Sequence, residues 1–73
     1  MNKQQVPERD GVVVAILGGM RYTVELANGF KVMAYSAGEL RKKFVKIVVG
    51  DRVRVAISPD EISKGRIVYR YNN

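Results

Sequence analysis

The sequence predicts an all-β domain: a small five-stranded barrel with one short helix between the third and fourth strands. Three observations carry this. Apolar residues alternate with period two in several short stretches, as half-buried strands require. Turn-forming residues separate those stretches, at Gly18-Gly19, Asn28-Gly29, Gly50 and Ser58-Pro59-Asp60. One stretch, residues 40–47, breaks the alternation and takes a helical period instead. With 73 residues there is room for one domain, whose core is thin because a chain this short buries only about 60% of its unfolded surface.

The elements follow in order. Residues 1–9 are polar, contain Pro7 and are expected to form a flexible arm ahead of a single domain over residues 10–71. Val12–Leu17 is an unbroken apolar run rich in β-branched residues and predicts the first strand. In RYTVEL, Tyr22, Val24 and Leu26 fall on one face and Arg21, Thr23 and Glu25 on the other. Asn28-Gly29 then suits a two-residue type I′ hairpin, which needs positive φ at both positions. A third strand over 30–35 alternates Phe30, Val32 and Ala34 with Lys31, Met33 and Tyr35. Leu40, Phe44 and Ile47 lie at i, i+4 and i+7, the stripe of a helix of about two turns. Ser36 and Glu39 have capping-box spacing at its start. DRVRVAIS places Val53, Val55 and Ile57 inward, and GRIVYRY does the same for Ile67, Tyr69 and Tyr71. Five short strands cannot bury both faces of a flat sheet, whereas closure removes the exposed edges. Five strands with a helix between the third and fourth define an OB-fold, an architecture that commonly binds oligonucleotides.

Charge is distributed unevenly. Residues 1–40 carry four basic residues and four acids, residues 41–73 nine basic and three acids, so the whole net charge of +6 lies in the second segment. Such a footprint suits a polyanion. Arg41, Lys42, Lys43 and Lys46 lie off the apolar stripe; Arg52 and Arg54, and then Arg66 and Arg70, fall on the non-core faces of the last two strands. A merely solvated basic coat is the competing reading. Tyr35 is the aromatic residue best placed to be an exposed stacking ring. The other rings fall mostly on core faces, which favours shape and phosphate contacts in folded RNA over base readout.

Enzymatic chemistry finds little support. The chain has neither histidine nor cysteine, which removes the commonest general base and the commonest metal ligands, and no disulfide can form. Asp60 and Glu61 are adjacent in a polar turn and form no acid–base pair, and no Lys-Ser/Thr follows Gly18-Gly19 as a phosphate loop requires. No metal or cofactor is expected. The longest apolar run is far short of the roughly 20 residues of a membrane helix, and MNKQQVPERD lacks the apolar centre of a signal peptide. The expectation is a cytoplasmic monomer, or an organellar one, that does not engage membranes.

YTVELANG, GELRKKFVKIVVGDRVRV and above all SPDEISKGRIVYR resemble bacterial-type translation initiation factor one, over about Gly11 to Arg70. The resemblance implies an S1-like OB-fold that performs no chemistry. It implies binding at the decoding (A) site of the small ribosomal subunit, between rRNA and the uS12-type ribosomal protein. There the factor would block elongator tRNA and assist initiation factors two and three in selecting initiator tRNA at the start codon. By position, Arg41 and Lys42 match the family's Arg-Lys pair, and Lys46 stands where many members have Arg. Lys64, Arg66 and Arg70 match the SKGR motif and the closing Arg. With Lys43 and Tyr35 these are the expected rRNA-binding residues. Glu39, Phe30 and Tyr35 depart from the family's usual Lys and His. A general single-stranded RNA chaperone of S1 or cold-shock type is the alternative, and a structural ribosomal or protein-interaction module a third reading.

Overall fold

Five strands and one helical turn follow one another along the chain: β1 (Glu8–Gly18), β2 (Arg21–Leu26), β3 (Lys31–Ser36), α1 (Gly38–Lys42), β4 (Arg52–Ile57) and β5 (Lys64–Arg70). The computed structural model describes residues 7–43 and 45–71, leaving aside the side chains of Glu39 and Arg41. The strands close into a barrel in the order β1-β2-β3-β5-β4. Every pairing is antiparallel except β3 with β5, which are parallel and in register from Met33↔Lys64 to Ser36↔Ile67. The expected OB-fold is thus the observed one.

Alternation explains the core. Val13, Val24, Val32, Val53, Val55 and Ile67 are fully buried, so each strand gives at least one β-branched side chain to the interior. Fully burying such a side chain stabilises by about 1.5–3 kcal/mol. Leu40 from α1 and Ile47 from the following loop join the same cluster and plug one end. Their predicted inward facing holds, although the helix does not continue between them. Phe44, the middle residue of that stripe, lies outside the described residues.

Local expectations fail where pairing overrides sequence. The helix is five residues, not two turns; Ser36 is buried as the last residue of β3 and Ala37 separates it from α1, so Ser36 is not the helix cap. The β-branched Val45, Val48 and Val49 beyond the helix have low helical propensity. Asn28-Gly29 is not a type I′ turn. The Leu26 N–H donates to the Phe30 carbonyl at 2.8 Å, enclosing a three-residue loop in which Gly29 alone has positive φ, at 88°. The Asn28 carboxamide instead accepts the Phe30 N–H at 2.9 Å. Glu8 and Arg9, assigned to the arm by their polarity, pair with Ala56 and Val55, and the Pro7 carbonyl accepts the Ile57 N–H.

In β5 the expected facing changes partway along the strand. An extra residue on β5, Val68, opposite the step from Arg54 to Val55, makes a bulge that sets Ile67 opposite Val55 but Tyr69 opposite Arg54. The extra residue shifts alternation by one position. Tyr69 is therefore turned outward and 53% exposed, and Arg70 lies opposite the fully buried Val53.

Two inward glycines, Gly11 and Gly65, let the strands coil this tightly. A Cβ on Gly65 would lie 2.7 Å from Val55 Cγ1 and 2.8 Å from the Ala56 carbonyl oxygen. Gly65→Ala should therefore destabilise the barrel by about 1–3 kcal/mol, the usual effect of overpacking. Chemical denaturation would read this as a lower midpoint with an unchanged slope. An unchanged midpoint would show that β5 can move outward freely.

Candidate nucleic-acid interface

One outer face of the barrel brings three expected residues together and adds a fourth. Arg21 of β2 pairs with Tyr35 of β3, and Tyr35 pairs with Arg66 of β5. The three form one row across the sheet, where opposite Cβ atoms are about 4.5–5.5 Å apart. Tyr35 is 49% exposed, so its ring stands in solvent between two arginines of neighbouring strands. Lys64 is on the same face of β5, two residues before Arg66, and pairs with Met33. These residues line a shallow groove of about 390 Å³, with Ala56 and Pro59 on the β4 side. A ring edged by guanidinium groups can stack a base while the arginines bind flanking phosphates.

Sequence reasoning missed Arg21. Its outward facing was legible from the alternation of RYTVEL, but its place beside Tyr35 depends on the β2–β3 register. Its Nε donates to the Gly18 carbonyl at 3.3 Å, which fixes the guanidinium at the groove's edge.

The basic segment after β3 forms a second part. Lys42 ends α1, and Lys43 and Lys46 follow; all three are exposed and form no ion pair with another described side chain. Arg41 belongs to α1, and its side chain is not described. Lys64 has Glu61 at 3.9 Å, an exposed pair of small energetic consequence. Arg70 stands apart from the groove. Its guanidinium donates to the Lys46 carbonyl at 2.8 Å and lies 3.8 Å from the Asp51 carboxylate.

Arg52 and Arg54 are engaged elsewhere. Arg54 Nε donates to Asp10 at 3.2 Å, and Glu8 lies 3.9 Å from the same guanidinium. The Tyr71 hydroxyl also donates to Asp10, at 2.7 Å. Arg52 sits 5.2 Å from the Tyr71 ring centroid, and Tyr69 meets that ring edge-on. This cluster joins β1, β4 and the residue after β5. Among the described residues no group of three or more histidine, cysteine or acidic side chains is placed to hold a metal, and no helix is long and apolar enough to cross a membrane.

Fold and face together define an OB-fold domain with a basic, ring-bearing surface, the class of module that binds nucleic acid. The family model of translation initiation factor 1A / IF-1 matches residues 2–73. The chain is 46% identical over 71 residues to translation initiation factor IF-1 of Rhodospirillum rubrum, covering 97% of this chain and 75% of that protein. Its fold superposes with a TM-score of 0.75 on the solution structure of translation initiation factor IF-1 from the Wolbachia endosymbiont of Brugia malayi, at 33% identity over 93% of this chain and 80% of that one. YjeQ from Thermotoga maritima contains a similar module: TM-score 0.73 and 33% identity, covering 90% of this chain but 23% of YjeQ. The chain belongs to the bacterial-type translation initiation factor IF-1 family.

The Asp10 cluster has a testable titration. The Tyr71 hydroxyl, and after it Arg54, hold the Asp10 carboxyl below its ordinary pKa, and the bond to Asp10 raises that of Tyr71. A depressed carboxyl contributes stability above its unfolded pKa and loses it as pH falls through the folded one. A raised tyrosine contributes below its unfolded pKa and loses it as pH rises through the folded one. Tyr71→Phe should move the Asp10 titration, followed by carboxyl NMR, back up toward the ordinary value. An unmoved titration would leave Arg54 and Arg52 as the cause.

Proposed function

We propose that the chain binds the decoding (A) site of the small ribosomal subunit and acts there by occupancy. It fills an rRNA cleft as a basic plug beside the uS12-type ribosomal protein and keeps elongator tRNA out. In that position it assists initiation factors two and three in selecting initiator tRNA at the start codon. Membership of the IF-1 family supports the reading, and one observation on this chain carries it: the Tyr35 ring exposed between Arg21 and Arg66. A ring with flanking cations serves the two needs of a folded-RNA ligand, a surface for an unstacked base and donors for phosphate. Lys42, Lys43, Lys46 and Lys64, with Arg41 by its position, extend the positive field around it.

Rings suited to a single-stranded RNA track are dispersed. Phe30 is exposed at the opposite end of β3 from Tyr35, and Tyr69 lies beyond the β5 bulge. That spacing favours a shaped cleft over an extended strand. No reacting group is required of any residue in this role.

Three substitutions separate the components. Arg66→Ala should fold normally, because outward substitutions usually shift stability by less than about 0.5 kcal/mol. It should weaken subunit binding and reduce the slope of log affinity against log salt by about one unit. Tyr35→Ala should weaken binding by about 1–3 kcal/mol with the salt slope unchanged, and Tyr35→Phe should retain most of the affinity. Footprinting of small subunits should show protection confined to the decoding site. Scattered protection, or affinity indifferent to salt, would overturn the proposal.

A further inference from the structure

The loop over residues 45–51 is pinned at almost every residue, and Arg70 is its main fastener. The Val45 N–H donates to the Leu40 carbonyl at 3.1 Å. Ile47 is buried in the core at 4% exposure. The Val48 N–H donates to Asp51 Oδ2 at 3.0 Å, and the Gly50 N–H to the Val13 carbonyl at 2.8 Å. The Asp51 carbonyl in turn accepts the Val13 N–H at 2.9 Å. Arg70 reaches in from the end of β5, with one terminal nitrogen on the Lys46 carbonyl at 2.8 Å and Nε 3.8 Å from Asp51 Oδ2. The Asp51 side chain is 11% exposed and that of Arg70 30%, so this pair is far drier than the three other ion pairs among the described residues.

We infer that Arg70, together with Asp51, is a positioning residue: it sets the shape of the loop over residues 45–51 and so presents Lys46 to RNA, and it is not itself a phosphate ligand. The inference rests on the rRNA-binding reading above. Both edges by which the guanidinium could grip a phosphate in bidentate fashion are already in use, the terminal edge at the Lys46 carbonyl and the Nε edge beside Asp51, so such a grip would compete with one of them, and at the Nε edge it would draw the cation away from Asp51. That would strand a largely buried carboxylate without its cation, a costly arrangement. The β5 bulge explains why the strand's last arginine takes this role. With alternation shifted, Arg70 lies opposite buried Val53 and turns toward the barrel's end, whereas Arg66, before the bulge, faces the groove. Arg70 spans the carbonyl and the carboxylate with separate nitrogens of one planar fork, a reach that the single nitrogen of a lysine does not reproduce.

A double-mutant cycle on small-subunit affinity tests this, using wild type, Lys46→Ala, Arg70→Gln and the double variant, with thermal melts of each. Arg70→Gln and Lys46→Ala should each weaken binding by roughly tenfold, and the double variant should bind about as well as Lys46→Ala alone. In the free protein, Arg70→Gln should speed hydrogen exchange of the Val48 amide while the melt stays cooperative. If Arg70→Gln does not fold, Arg70→Lys takes its place in the cycle and should give the same non-additivity and the same faster exchange. Fully additive losses, with a further drop of about one unit in salt slope in the double variant, would make Arg70 a phosphate ligand and overturn the inference alone. A Lys46→Ala chain that binds like wild type, while Arg66→Ala does not, would also overturn it alone. A wild-type chain without affinity for the subunit would overturn the functional reading and this inference together.

Discussion

The parallel pairing of β3 with β5 is the constraint on which the rest depends. Without it both strands would be open edges and the sheet would have no enclosed interior. Parallel neighbours need a crossover between them, here supplied by α1, the pinned loop and β4. The same register serves packing and site at once. Ala34 lies opposite Gly65, where no Cβ fits, and the next pair out is Tyr35 with Arg66. A slip of one residue would turn Arg66 into the core and Gly65 to solvent, so the hydrophobic interior enforces the arrangement of the groove.

Closure also redistributes charge. In the sequence all excess positive charge lies after Leu40, as if one contiguous basic surface followed. In the fold, Arg54 is drawn to Asp10 and Glu8 on β1, and Arg70 to Asp51. What reaches the groove is Lys64 and Arg66, joined by Arg21 from the charge-balanced half. Long basic side chains at the barrel's rim thus divide into two kinds. Some tie strands or loops together, and some stand in solvent with no acidic partner among the described residues. Charge counting reports only their sum.

Legibility follows the range of the interaction. Period two reads local facing correctly where strands are regular: Tyr22 and Val24, Val32 and Ala34, Val53 and Val55 are all buried as alternation requires. The helical stripe places Leu40 and Ile47 in the core because spacing survives even though the helix stops at Lys42. Reading fails where a partner strand decides. The facing of Tyr69 and Arg70 depends on a bulge set against β4, which nothing in GRIVYRY announces. The Asn28-Gly29 signal is real as a turn, but the pairing of Leu26 with Phe30 fixes a three-residue loop. Arg21 belongs to the groove through its neighbour on β3, not through its neighbours in sequence.

The proposed cleft-filling role requires that the chain's charges stay where the cleft needs them. The two parts of this interface meet that requirement differently. The row of Arg21, Tyr35 and Arg66 is held by the ladder of the sheet, so its spacing is fixed once the barrel closes. Lys46 stands on a loop with little regular structure, and its backbone is held by Ile47 below, Asp51 behind and Arg70 across the carbonyl. Each anchor removes ordering that binding would otherwise have to impose, and immobilising a loop on association costs affinity directly. Positive charge draws the chain toward RNA over a distance of about a Debye length, near 10 Å at ordinary salt. At closer range a fixed shape decides whether cations meet phosphates together, and in this fold that shape is set by inward-facing residues and by the anchor of Arg70 on the Lys46 carbonyl.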